Sequence, residues 1–283
     1  MLYDILKMDT KALFDYLKTL LDRDYQLSTV DDGENYIFYE SLDNPICLVA
    51  HIDTVRPKGK LKLEQAKRII RNKKGVLGAD DRAGVYGVIE LLRRCKKQGI
   101  SYPSVLFTNH EEIGGVGVKV FIDDFIKTLP FQNTHLFIEM DRCNANQYVY
   151  YSEYLPDEVK TYVESFGFVE SYGSYSDIAD LTDIFSIPSV NLSIGYYEQH
   201  TKNERLHLDE MNLTISRVFA MLKKPIKEFY PIEDMGLFED EIETELPSSR
   251  LENVFFDWDD PMAFDDGERP YHQKSDHHYQ RLR

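Results

Sequence analysis

Five short segments of the chain carry side chains of metal-ligating types. They are His51 with Asp53, Asp80 within Gly78-Ala79-Asp80-Asp81, the pair Glu111-Glu112, Asp141 and His200. Imidazole and carboxylate donors suit divalent cations such as zinc, and also cobalt or manganese. Two such ions about 3.5–4 Å apart can share a water and clamp a tetrahedral intermediate. That chemistry needs one carboxylate bridging both ions, His and carboxylate ligands on each, and a base that touches the water without binding metal. Glu111 and Glu112 suit this division, because neighbouring side chains at a strand end point in different directions. Asp53 can hold the other imidazole nitrogen of His51 and fix its tautomer. Taken singly, each segment reads more simply. A His-x-Asp is commonly a surface pair, adjacent Glu residues a solvated helix start, Asp80-Asp81 a helix cap and a strand-end Asp a turn former. The case rests on all five occurring in order.

The elements around these segments explain how they meet. Tyr36–Tyr39, Ile46–Ala50, Ser104–Thr108, the stretch from His135 to Met140 and that from Ser189 to Ile194 read as strands, the second apolar enough to be buried on both faces. Helices are predicted after Asp9 (Leu13, Leu17, Leu20, Leu21), through Val85, Val88, Ile89, Leu92 and Cys95, over Gly114–Ile126 and over Asp157–Phe166. A further one is capped by Asp209, with Met211, Ile215, Val218, Phe219 and Leu222 on one stripe. This alternation predicts an α/β fold, a three-layer sandwich with a mainly parallel central sheet in one catalytic domain. Ligands gather outside the carboxyl ends of such strands, which is where His51, Glu111-Glu112, Asp141 and His200 fall. Between Arg56 and Lys74 lie nine Lys/Arg and one Glu. They read as a solvated hairpin, with a ligand-binding basic patch as the alternative.

The motifs His51-Ile-Asp53-Thr-Val, Gly78-Ala-Asp80-Asp-Arg-Ala-Gly84, Thr108-Asn-His-Glu111-Glu112-Ile-Gly114, Ile138-Glu-Met-Asp141 and His200-Thr together resemble the co-catalytic dizinc exopeptidases. That superfamily includes tripeptide and leucyl aminopeptidases, glutamate carboxypeptidase and aminoacylase. The likeness covers about residues 1–228, and Ser176-Asp177-Ile-Ala-Asp-Leu followed by Ile187-Pro188 extends it. It implies that Asp80 bridges two zinc ions, that His51 and Asp141 complete one and Glu112 and His200 the other, and that Glu111 is the general base. It also implies a cis peptide between Asp80 and Asp81. Glu139 shares a strand face with Asp141 and is the alternative ligand there. Only 58 residues separate Asp141 from His200, too few for the lid domain of many relatives, so a lidless layout is expected. Arg142 stands where lidded relatives often have glycine. Cys143 and His110 read as wall or packing residues, and His207 as a surface residue ahead of a helix.

The function implied is a metal-dependent hydrolase of amide bonds, an aminopeptidase on short peptides. Two other readings remain. One is an N-acyl amino acid deacylase or carboxypeptidase, which would need a cation such as Arg142 or a hairpin residue for the substrate carboxylate. The other is an inactive binding protein working through its tail. The net charge of −16 argues against a nucleic-acid partner. No apolar run reaches membrane-span length, the N-terminus lacks signal-peptide features, and Cys47, Cys95 and Cys143 read as free thiols, so a cytoplasmic protein is expected. Residues 231–283 hold 15 Asp/Glu against five Lys/Arg, a net of −10. The division expected is a catalytic domain over 1–228 and an acidic extension over 229–283. That extension would dock on the basic hairpin or on a protein partner, and its His272, His277 and His278 read as solvated.

Overall fold

The strand predicted to be buried on both faces, Ile46–Ala50, extends one residue further to His51 and is the middle of the fold, with every residue of it inaccessible to solvent. The computed structural model describes residues 1–55, 61–173 and 175–232. In chain order the elements are α1 (Leu2–Lys7), α2 (Thr10–Thr19), β1 (Val30–Asp31), β2 (Tyr36–Tyr39), β3 (Ile46–His51), β4 (Leu63–Ala66) and β5 (Ile69–Asn72). They continue as α3 (Ala79–Gln98), β6 (Ser104–Thr108), α4 (Val116–Phe125), β7 (Leu136–Arg142), β8 (Gln147–Val149) and α5 (Asp157–Ser165). The rest are β9 (Val169–Glu170), α6 (Asp177–Phe185), β10 (Ser189–Ser193), β11 (Tyr196–Tyr197), β12 (Arg205–His207) and α7 (Leu208–Lys223).

Eight strands form the main sheet in the order β1-β2-β6-β3-β7-β10-β8-β9. Its centre, β6-β3-β7-β10, is parallel throughout, while β2 joins β6 and β8 joins β10 antiparallel. Side chains alternate across this centre, as the two-residue period of a strand requires. Leu48, Ala50, Val105, Phe107, Ile138 and Met140 pack into one apolar cluster with α3 and α7 residues such as Val88, Leu92, Ile215 and Val218. Cys47, Val49, Leu106 and Phe137 pack into the other with Val118 and Phe121 of α4 and Ile178 and Leu181 of α6. The result is the three-layer α/β sandwich expected. Among the described residues between Asp141 and His200 the chain holds only β8, α5, β9, α6, β10 and β11, and no lid domain is inserted among them.

Several local expectations are refined. Asp9 does cap α2, accepting the Ala12 N–H at 2.8 Å. Asp209 is not a cap: α7 begins at Leu208, directly after β12, and Asp209 lies in its first turn. There it pairs with Arg68 Nε at 2.8 Å and sits favourably near the positive helix end. The hairpin is present as β4–β5, but it is not simply solvated. It pairs through β5 with β12 in a second, antiparallel sheet, β11-β12-β5-β4, and Ile70 is fully buried. This small sheet flanks the loop that carries His200. Its first basic residues, 56–60, lie outside the described residues, as does the acidic extension from 233 onward with its three histidines and its expected docking.

Candidate active site

All seven singled-out residues, the five candidate ligands with Asp53 and Glu111, come together at the carboxyl end of the parallel strands. His51 is the last residue of β3 and is fully buried. Its Nδ1 lies 3.3 Å from Asp53 Oδ1, and its Nε2 lies 3.2 Å from Asp80 Oδ1 and 3.6 Å from Asp141 Oδ2. The other oxygen of Asp80, Oδ2, lies 3.0 Å from His200 Nε2. His200 in turn lies 3.1 Å from Glu112. Asp80 is thus the shared member of two groups, one around each imidazole. Glu111 Oε2 stands 3.9 Å from His51 Nε2, beside that array.

Glu111 and Glu112 diverge, but not as strand neighbours. They lie in a single 3-10 turn, Glu111–Ile113, just beyond β6. With three residues per turn, consecutive side chains there point well apart. Asp53 fixes this turn as well as His51: its Oδ1 accepts the Glu111 N–H at 3.1 Å and its Oδ2 the Glu112 N–H at 3.2 Å. One carboxylate therefore orients the imidazole and both glutamates.

Asp80 sits in a break at the start of α3, where it and Asp81 have non-helical backbone angles, joined by a cis peptide. Gly78 before it has φ +74°, and a Cβ there would fall 2.8 Å from Thr54 Oγ1, so only glycine fits. Asp81 turns inward and its Oδ1 accepts the Gly84 N–H at 2.9 Å. A Cβ on Gly84 would lie 2.4 Å from that carboxylate.

Of the two acids on β7, Asp141 is the one that reaches His51. Tyr196 donates to Asp141 Oδ1 at 3.1 Å, and the Asn191 amide brackets the Asp141 backbone with bonds of 2.9 and 3.0 Å. Glu139 lies deeper, and neither of its oxygens has a hydrogen-bond partner among the described residues. Burial, with the charges of Asp177 and Asp81, pushes its carboxyl well above the usual range.

Two helpers had no signal in the sequence. Tyr196 is buried and was indistinguishable from a core aromatic. Glu204, 1% exposed, lies in the loop between His200 and β12. Its Oε2 accepts the N–H groups of Leu77 and Gly78 at 2.8 Å each, and its Oε1 those of Ala79 at 2.6 Å and Asp80 at 3.3 Å. One carboxylate thereby ties the His200 loop to the loop that presents Asp80. Burial pushes Glu204 up from the ordinary carboxylate range, and the bonds from Gly78, Ala79 and Asp80 pull it back.

The electrostatics call for a cation. Burial pushes Asp141 well above its ordinary range, reinforced by the charges of Asp80 and Asp81. Burial likewise pushes Glu111 up to about 7, with Glu112, Asp80 and Asp53 adding to it and His51 opposing. The bonds to Asp80 and Glu112 hold His200 at about 10. So many carboxylates converging in a buried place repel one another unless a cation is shared between them. His51, Asp80 and Glu112 each present a ligand atom, all within 4.8 Å of one another, a spacing that a metal ion can span. The donor set is all nitrogen and oxygen, and it fits a divalent metal.

The site opens into a cleft of about 380 Å³, lined also by Arg142, Cys143, Tyr151, Tyr175, Asn191 and Tyr196. Cys143 is a wall residue, half-buried and accepting the Asn144 amide at 3.2 Å. His110 is outside the cleft, 3.7 Å from Glu34. His207 is half-buried against the Tyr197 ring at 4.6 Å instead of lying on the open surface.

Comparison with known proteins agrees with this fold. The chain's fold is similar to that of an aminopeptidase PepT from Bacillus cereus, with a TM-score of 0.62 at 16% identity over 79% of this chain and 96% of that one. It is similar also to a tripeptidase from Staphylococcus aureus, with a TM-score of 0.63 at 17% identity over 79% and 96%. A third likeness is to the TET1 peptidase of Pyrococcus horikoshii, with a TM-score of 0.52 at 13% identity over 73% and 92%. No curated protein matches the sequence. Residues 35–281 match peptidase family M28. The chain therefore belongs to peptidase family M28 and is a metal-dependent peptidase.

Proposed function

We propose that the protein is an aminopeptidase acting on short peptides, with His51, Asp80 and Asp141 holding one zinc ion and Asp80, Glu112 and His200 a second. The observation that carries this reading is Asp80, whose two oxygens face two different imidazoles at 3.2 and 3.0 Å. When bound, the ions supply Lewis-acid activation of a water and of the scissile carbonyl. Glu111 is the general base and then the general acid: it takes a proton from the attacking water and returns it to the departing amine nitrogen. Glu111 stands beside the array without joining it, its Oε2 3.9 Å from His51 Nε2, as a base that leaves the ligands free must. Asp53 keeps the His51 proton on Nδ1, so that Nε2 faces the site. Tyr196, through its hydrogen bond, fixes the rotamer of Asp141.

All these residues precede 229, and we assign catalysis to 1–228 with 229–283 as an acidic extension. No helix of the described residues is long and apolar enough to cross a membrane. The three free thiols support a reducing compartment, and the cytoplasm is the location assigned in this reading.

The test is the choice of substrate end. The protein loaded with zinc is expected to cleave peptides with a free amine and to spare their N-acylated counterparts, followed by chromatography of the released amino acid. Cleavage of N-acylated substrates alone would reverse the assignment toward a deacylase. Activity that survives exhaustive chelation would remove the metal from the mechanism.

A further inference from the structure

Among the described residues the cleft is lined by four acidic residues, Asp80, Glu111, Glu112 and Asp141, and by a single Lys or Arg, Arg142. Arg142 ends β7, one residue beyond Asp141, and is half-buried. Its guanidinium is held on two edges. Nε and Nη2 donate to Gln147 Oε1 at 3.3 and 3.1 Å, and Nη2 donates to Ser171 Oγ at 2.9 Å. Both partners are neutral, and among the described residues no carboxylate lies within ion-pair distance of it. The four acids of the cleft face the two imidazoles, while Gln147 and Ser171 draw the guanidinium toward β8 and β9.

A half-buried charge with only neutral partners is costly, and its remaining donors favour an anion. The planar guanidinium fork suits a carboxylate in particular. The other residues at that side, Cys143, Tyr151, Tyr175 and Asn191, are neutral and bring no competing charge. Size limits what can reach it. Arg142 and the four acids line one cleft of about 380 Å³, which has room for a peptide of two or three residues, whereas the carboxyl end of a long peptide lies outside it.

Resting on the aminopeptidase reading, we infer that Arg142 binds the C-terminal α-carboxylate of the substrate and thereby confines the enzyme to di- and tripeptides with a free carboxyl end. Arg142 is on this reading a specificity residue and takes no part in proton transfer.

The experiment compares trialanine, trialanine amide and the α-amide of alanyl-glutamic acid, whose side-chain carboxylate is free, as substrates of the zinc-loaded enzyme and of its Arg142→Ala, Arg142→Gln and Arg142→Lys variants. One charge-assisted bond predicts that the wild type favours the free acid over the amide by about 10- to 150-fold, mostly in KM. That preference is expected to collapse toward unity in Arg142→Ala and Arg142→Gln, and to return in part in Arg142→Lys. A wild type indifferent to amidation, or an Arg142→Gln variant that keeps the preference, overturns the inference. An alanyl-glutamic acid α-amide cleaved as well as trialanine assigns Arg142 to an acidic side chain and overturns the α-carboxylate assignment. Calorimetric binding of trialanine and its amide to the Glu111→Gln protein reads the same contact without turnover. Equal affinities there overturn the inference, whereas tighter binding of the free acid upholds it even if the aminopeptidase reading fails on its own test.

Discussion

Replacing Glu204 by Gln asks whether one buried carboxylate holds two halves of the site together. In the native protein four backbone N–H groups, those of Leu77 through Asp80, end on its two oxygens. An amide of the same shape has one oxygen, so two of those N–H groups face an NH₂ donor whichever way the side chain is turned. Hydrogen bonds to a charged acceptor contribute about 1.5–3 kcal/mol each, and the loss of two comes to about 3–6 kcal/mol. The lower end is expected, because ionised Glu204 also carries a burial cost that Gln escapes. About 3 kcal/mol is a large part of a typical stability of about 5–15 kcal/mol, and corresponds to a fall in Tm of about 6–12 °C for a domain of this size. The assay is urea denaturation in the presence of a chelator, which separates the loss of bonds from any loss of metal. A second measurement follows zinc affinity, expected to weaken at least about 10-fold because Asp80 and His200 lose their common brace. A chelated variant within about 0.5 kcal/mol of wild type would show that the four bonds do not hold the loop, and the reasoning would be refuted.

Three further outcomes follow from the geometry. Glu111→Gln is expected to retain about two bound ions per chain by elemental analysis while turnover falls by at least about 100-fold, because the ligands are intact and the base is gone; full activity in this variant would assign the base elsewhere. Asp53→Asn, which disturbs His51 and both glutamates through one carboxylate, is expected to weaken metal binding by about 10- to 100-fold in a competition titration with a chromophoric chelator. Glu90, on the far part of α3, accepts Arg93 at 2.7 Å twice and Arg94 at 2.9 Å, and these bonds, Arg93 first, hold its carboxyl below its ordinary value. A lowered folded-state value means stability present above the ordinary carboxylate range and lost as pH falls through the folded value. Glu90→Gln should therefore be less stable by about 1 kcal/mol at pH 7, with the gap closing below about pH 4, and a gap independent of pH would contradict the ion pair.

Much of the fold was legible because its central strands bury both faces. Ile46–His51 and Ser104–Thr108 could be recognised by their apolar runs, and the helix around Val85–Cys95 by its stripe. Short elements were not. β8, β11 and β12 have two or three residues each and carry too few side chains for any period to register. α6 has nine residues and starts on Asp177, which is buried against Thr108. The basic segment looked like a free hairpin because the partner that buries Ile70, β12, lies more than 130 residues further along the chain.

For the site, the sequence by itself determined which side chains bring nitrogen and oxygen donors, and their order along a repeating strand–helix pattern was enough to imply a shared metal centre. Residue types and their order are local properties of the chain, and parallel strands bring their ends to one edge. Only the tertiary structure decided which acid of β7 faces His51, that Asp53 anchors the Glu111-Glu112 turn, and that Glu204 cradles the approach to Asp80. It also decided that Arg142 faces the cleft with only neutral partners among the described residues. Each of these is a matter of direction across a few ångströms between segments distant in the chain. Such directions are set by packing and by the satisfaction of buried N–H groups, and neither quantity is carried by spacing along the sequence.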